Sequence, residues 1–114
     1  MKINPKKHLV GIWRIIHMDD FDKRDIDMEV PAYMKVEDGG SGEFQFILVF
    51  GNTCGVFKMA EKGAIFDFTW EGNDECDEAS GDGWINTEDG KEGAGEIRIH
   101  NGDKYGFLVR KVKR

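Results

Sequence analysis

The stretch Ala64-Ile-Phe-Asp-Phe-Thr-Trp70 decides the fold, because aromatic side chains occupy every second position from Phe66 onward. Successive side chains of a β-strand point to opposite faces, so this alternation predicts a strand with one buried aromatic face. The same period of two recurs along most of the chain and indicates an all-β protein. It is interrupted by turn-forming runs: Asp38-Gly-Gly-Ser41, Gly51-Asn52, Glu61-Lys-Gly63, Asp89-Gly90 and Asn101-Gly-Asp103.

Eight strands are predicted when the alternating segments are divided at these turns. They span residues 9–18, 32–37, 42–50, 53–59, 64–70, 83–87, 95–100 and 104–112. On the third strand, every second residue is apolar, and one buried face is expected for Phe44, Phe46, Leu48 and Phe50. Residues 19–31 are ambiguous and are compatible with a short helix, a strand or an ordered loop.

The fold expected from eight sequential strands is a single antiparallel up-and-down barrel, which leaves no exposed sheet edge. A two-sheet β-sandwich has the same patterning and remains the alternative. The 114 residues suffice for one domain, taken as residues 1–114. The aromatic side chains would largely fill a small barrel, so a packed interior is favoured over a ligand cavity.

Charge and cysteine content disfavour several classes of protein. The net charge is −6 and no basic stripe is interleaved with aromatic residues, which argues against nucleic-acid binding. No apolar run is long enough to cross a bilayer and the first residues do not resemble a signal peptide, so a cytoplasmic protein without membrane association is expected. Cys54 and Cys76 are accordingly expected to be free thiols.

The motif Gly11-Ile-Trp13, at the start of the first strand, resembles the Gly-x-Trp element of lipocalin-like (calycin) barrels. In such barrels a basic residue of the last strand packs across the tryptophan. The resemblance makes Arg110 the candidate for that role, although the alternation of Tyr105, Phe107 and Val109 places Arg110 on the opposite face.

A second resemblance covers most of the chain and is to a family of small bacterial proteins. Its motifs are Gly11-x-Trp13-Arg14-Ile15, Gly42-Glu-Phe-Gln-Phe46, Phe68-Thr-Trp-Glu-Gly-Asn-Asp-Glu75, Ser80-Gly-x-Gly-Trp84 and Ile99-His100-x-Gly102-Asp103. The resemblance implies a bacterial, single-domain protein. It supplies no catalytic residue, because no activity is established for that family.

Another informative stretch runs from Phe68 to Trp84, where six carboxylates occur without a Lys or Arg. Successive connections of an up-and-down barrel alternate between its two ends, so the first, third, fifth and seventh connections lie together. The expected barrel therefore gathers the acids of residues 19–29 and 71–82 with Asp103 at one end, and places both basic termini at the other. A concentrated negative end attracts cations or a basic protein surface.

The candidate binding residues combine two tryptophans, for apolar contact, with the polar side chains around them. They are Trp70, Asn73, Asp74, Glu75, Asp77, Trp84 and Asp103. The stretch Asp77-Glu-Ala-Ser-Gly-Asp82 lacks the ligand spacing of an EF-hand calcium loop. No metal site and no cofactor is therefore predicted.

Enzymatic chemistry has one candidate, a Cys76 thiol activated by His100. The flanking carboxylates of Glu75, Asp77 and Glu78 disfavour a thiolate, and the sequence gives no identifiable oxyanion donor. A non-enzymatic binding or interaction module is therefore expected, and an enzyme that uses Cys76 is the least favoured interpretation.

The partner of such a module is expected to be a protein or a small molecule, held at the acidic, tryptophan-rimmed end. The alternative function is that of a carrier with a small apolar ligand inside the barrel. A monomer or a homodimer is expected. A homodimer would form if the barrel closed incompletely and left an edge strand that can pair.

Overall fold

The alternating segments form eight strands that close into one antiparallel barrel. The structure, a computed structural model, describes residues 4–112. Its strands are β1 (Gly11–Met18), β2 (Tyr33–Val36), β3 (Ser41–Phe46), β4 (Val49–Met59), β5 (Ala64–Asp74), β6 (Asp77–Thr87), β7 (Glu92–Ile99) and β8 (Lys104–Lys111). Each strand pairs with the next in sequence, and β8 pairs back with β1. The predicted up-and-down barrel is confirmed, in preference to the sandwich.

The interior of the barrel is filled by the inward-facing side chains of the strands. The ring centroid of Phe44 lies 5.8 Å from that of Phe46 and 5.1 Å from that of Trp70, while Phe66 stacks on Phe68 at 5.4 Å. Further buried side chains are Trp13, Ile15, Met18, Met34, Val36, Ile85, Ile97, Phe107 and Val109. The aromatic face predicted for Phe66, Phe68 and Trp70 is therefore confirmed.

The turn between β3 and β4 lies at Ile47 and Leu48, so the turn predicted at Gly51-Asn52 is wrong. Gly51 is a strand residue whose missing side chain makes room for the core: a Cβ there would lie 2.6 Å from the Phe44 ring and 2.8 Å from that of Trp70. The corrected register also removes Phe50 from the face of Phe44, because Phe50 follows the turn and points outward on β4.

The loop predicted between residues 70 and 83 is also wrong, because strands β5 and β6 continue through it. Their ladder runs to the pair Asp74–Asp77 and leaves a two-residue turn, in which Glu75 has a positive φ of 57°. The Asn73 side-chain amide donates to the Glu75 carbonyl at 2.7 Å and stabilises this turn. We call residues 71–80 the acidic hairpin.

Two short helices lie at opposite ends of the barrel. α1 (Pro5–Leu9) was not predicted; the Asn4 side chain accepts a hydrogen bond from the Lys6 N–H at its start, and Leu9 is fully buried. α2 (Lys23–Ile26) lies in the ambiguous segment and corresponds to the short helix considered there. Among residues 4–112, no helix has the length and apolar character needed to span a membrane.

A basic residue of the last strand does pack across Trp13, but it is Lys111 and not Arg110. The Lys111 ammonium lies 4.9 Å from the centroid of the Trp13 ring and donates to the His8 carbonyl at 2.7 Å. The Trp13 indole N–H donates to the Leu9 carbonyl at 2.9 Å. Arg110 points outward, as alternation requires, and lies 3.6 Å from Glu92.

The two ends of the barrel carry different connections. The near end carries α1 and the connections after β2, β4 and β6; the far end carries α2 and the connections after β1, β3, β5 and β7. The N–H of Ile47 donates to the Ile26 carbonyl, and the N–H of Glu75 donates to the Leu48 carbonyl. These bonds join the first, third and fifth connections, as the alternation of an up-and-down barrel predicts.

Candidate functional site

The far end brings acidic residues from separate parts of the chain together around Tyr105. The Tyr105 hydroxyl donates to Asp103 at 3.2 Å, and its ring lies 4.9 Å from that of Phe21. Burial, the hydrogen bond to Asp103 and the charges of Asp103, Asp20 and Asp74 raise the pKa of Tyr105. Carboxylates from the first connection, from the end of β5 and from the seventh connection therefore all act on Tyr105.

The two tryptophans of the candidate site lie on opposite faces of the barrel wall. Trp70 points inward, is 3% exposed and donates its indole N–H to the Arg98 carbonyl at 3.3 Å. Trp84 is half-buried on the outer face, between Asp67 of β5 and Glu96 of β7. Because they face apart, they do not form a common rim, and Trp70 belongs to the core.

The remaining candidate residues lie at or beside the tip of the acidic hairpin. Asp74 and Asp77 face each other as the last pair of the ladder, Glu75 occupies the turn, and all three are exposed. The Asn73 amide bonds within the turn, so its role there is structural. Asp103 lies in the connection after β7 and joins the group through Tyr105.

Of the six carboxylates between Phe68 and Trp84, the fold pairs Asp82 with a cation. Arg98 of β7 donates to both carboxylate oxygens of Asp82, at 2.8 and 2.9 Å. This hydrogen bonding holds the pKa of Asp82 below its ordinary value. Among residues 4–112, no ion pair forms with the other five carboxylates, which are Glu71, Asp74, Glu75, Asp77 and Glu78.

A polar row that the sequence did not reveal crosses β4, β5 and β6 on the outer face and ends at His100, directly after β7. Asn52 lies opposite Glu71, Glu71 lies opposite Ser80, and the N–H of His100 donates to the Ser80 carbonyl at 2.7 Å. These four side chains and Glu78 line an open groove of about 580 Å³. The row depends on the register of three ladders, which the strand pattern alone did not specify.

No protein-family model, curated protein or solved structure matches this chain. The closed eight-strand barrel is compatible with the lipocalin-like resemblance of Gly11-Ile-Trp13.

The structure gives little support to the chemistry considered for Cys76 and His100. Cys76 is exposed in the hairpin turn, whereas His100 lies beside Ser80, four residues further along β6 or about 13 Å at the usual rise of a strand. Within residues 4–112, no three His, Cys, Asp or Glu side chains are arranged to hold a metal ion.

Proposed function

We propose that the protein is a non-enzymatic binding module that receives a basic partner at the far end of its barrel. The observation that carries this proposal is the acidic hairpin, whose five carboxylates are displayed on an ordered ribbon without a neutralising cation among the described residues. The charges of Asp20 and Asp103 act on Tyr105 together with that of Asp74 of the hairpin, so the far end carries further negative charge beside the hairpin. A surface of one sign attracts an oppositely charged partner and speeds its encounter.

The alternative function, a carrier of a small apolar ligand, has less support. Such a carrier needs space between the strands, whereas Phe44, Phe66 and Trp13 fill the interior and are fully buried. The polar groove beside His100 lies on the outside of the wall and would suit a polar partner better than an apolar ligand.

A second part of the proposal concerns the type of barrel, the origin of the protein and its cellular location. We propose that the chain is a lipocalin-like, bacterial, cytoplasmic protein. The resemblances of Gly11-Ile-Trp13 and of the segment from Phe68 to Glu75 support the first two points. The two exposed free thiols, Cys54 and Cys76, fit a reducing compartment.

Charge reversal at matched positions tests the proposed function. The variant E71K/E78K alters the acidic hairpin, and E61K/E88K alters exposed acids at the near end by the same net charge. Fluorescence anisotropy with labelled octalysine at low salt is expected to show at least about tenfold weaker binding for E71K/E78K than for E61K/E88K. Equal affinities would show that the far end is not the binding surface.

A further inference from the structure

Strand β6 extends beyond the end of its neighbour β7, and this part of β6 has an open edge. The β6–β7 ladder ends at the pair Gly81–Ile99, after which one bond remains, from the His100 N–H to the Ser80 carbonyl. The chain then turns away through Asn101, which has a positive φ of 61°, and enters β8. Residues 77–80 therefore pair with β5 on one side and, among residues 4–112, with no strand on the other.

The backbone groups at this edge can be assigned from the alternation of a strand. The N–H and C=O of one residue point to the same side, and this side changes with each residue. Because the Ser80 carbonyl faces β7, both backbone groups of Glu78 face the open side, while those of Asp77 and Ala79 face β5; the position opposite Ser80 is occupied by His100. Within the described part of the chain, the two Glu78 groups bond to no backbone atom.

The space beside this edge is open and carries a defined charge. Glu78, Ser80 and His100 line the groove of about 580 Å³, and Glu71 lies across the ribbon from Ser80. Exposed edges commonly carry charge to keep copies of the same chain apart. An acidic edge repels a second acidic edge of this kind and attracts a basic segment.

We propose that an extended basic segment of a partner protein adds to the edge of β6 as a further antiparallel strand, in line with β7. Two backbone hydrogen bonds form, with the N–H and the C=O of Glu78, and a Lys or Arg opposite Glu78 lies on the outer face. This is β-strand addition, in which backbone bonds give affinity and alternate side chains give specificity. The inference rests on the proposed function and names its binding mode.

Two N-methylated peptides separate strand addition from simple charge attraction. The parent probe is an acetylated and amidated octapeptide of alternating Lys and Thr, labelled with fluorescein. A peptide residue that lies opposite Glu78 points its side chain outward and its backbone N–H towards β6. Methylation of the backbone nitrogen of each Lys therefore blocks pairing, whereas methylation of the backbone nitrogen of each Thr leaves pairing intact. Anisotropy is expected to show at least about tenfold weaker binding for the Lys-methylated peptide alone.

A pair of variants at one position gives a second readout. Glu78→Pro removes the edge N–H, and proline is tolerated where a strand N–H faces solvent. Glu78→Gln removes the same charge and keeps the N–H. Binding of the parent peptide is expected to be at least about fivefold weaker for Glu78→Pro than for Glu78→Gln, with urea denaturation confirming that both variants fold.

Amide hydrogen exchange identifies the occupant of the edge. The parent peptide is expected to protect the Glu78 amide and to leave the paired Asp77 and Ala79 amides unchanged. Protection that rises with protein concentration without peptide would assign the edge to a second copy of this chain and overturn the proposal.

The outcomes also distinguish this inference from the proposed function. Equal binding of the two methylated peptides, or weaker binding of the Thr-methylated one, overturns strand addition. If E71K/E78K still weakens octalysine binding in that case, the acidic far end remains the binding surface and only the binding mode is wrong.

Discussion

At the scale of single residues, the contact between Lys111 and Trp13 closes the barrel. The ammonium lies over the indole ring and bonds to the His8 carbonyl, which ties β8 to both β1 and α1. The resemblance to lipocalin-like barrels predicted a basic residue here, and strand alternation argued against Arg110. The structure has the basic residue at Lys111, and Arg110 points outward as the alternation of β8 requires.

Removing the Lys111 charge is expected to destabilise the protein. Lys111→Met keeps an apolar stem but loses the cation–π contact and the hydrogen bond, so the free energy of unfolding should fall by about 1–2 kcal/mol. Arg110→Met removes an exposed cation and should change it by less than about 0.5 kcal/mol. Urea denaturation measures both, and equal losses would contradict the assigned role of Lys111.

Tyr33 is expected to make stability sensitive to alkaline pH. Burial and a hydrogen bond donated to Glu43 raise the pKa of Tyr33 from 10.0 to about 12. The unfolded chain therefore loses this proton first, so the Tyr33 contribution is complete below pH 10 and is lost as the pH rises towards 12. Urea midpoints across this range should fall less steeply for Tyr33→Phe than for the parent, and parallel profiles would contradict the assignment.

At the scale of elements, the sequence predicted the strands whose two faces differ in polarity. β5 was identified from Phe66, Phe68 and Trp70, because burial on one face leaves a visible period of two. The acidic hairpin has no such signal, since both of its faces meet solvent and carry carboxylates. Gly51 resembles a turn residue in the sequence, but it lies inside β4, where a side chain would collide with the core.

If Gly51 makes room for the core, adding one methyl group at this position should lower the free energy of unfolding. Gly51→Ala would force the rings of Phe44 and Trp70 to move within a filled interior, and we expect a loss of about 1–3 kcal/mol in the free energy of unfolding. Gly39→Ala is the matched control, because a Cβ there meets nothing within 4 Å, and it should change stability by less than about 0.5 kcal/mol. Thermal and urea unfolding of the two variants measure this difference, and equal stabilities would contradict a packing role for Gly51.

At the scale of the whole molecule, the sequence predicted at which end of the barrel each connection lies, but it did not predict the shape of the site. An up-and-down order suffices to place residues 19–29, the acidic hairpin and Asp103 at one end. It does not specify which face each side chain takes, so Trp70 and Trp84 were expected on one rim and lie on opposite faces. The open edge of β6 depends on unequal strand lengths, which hydrophobic patterning did not reveal.

The pairing of β1 with β8 also determines the order in which the protein can be completed during synthesis. Lys111 meets the His8 carbonyl across a sequence separation of 103 residues, so no partial chain emerging from a ribosome can close the ring. Until β8 is released, β1 and β7 each present an unpaired edge to the crowded cell. The eight-residue strand β8 therefore completes the barrel. Truncation within β8 should leave an open sheet that aggregates rather than a smaller barrel.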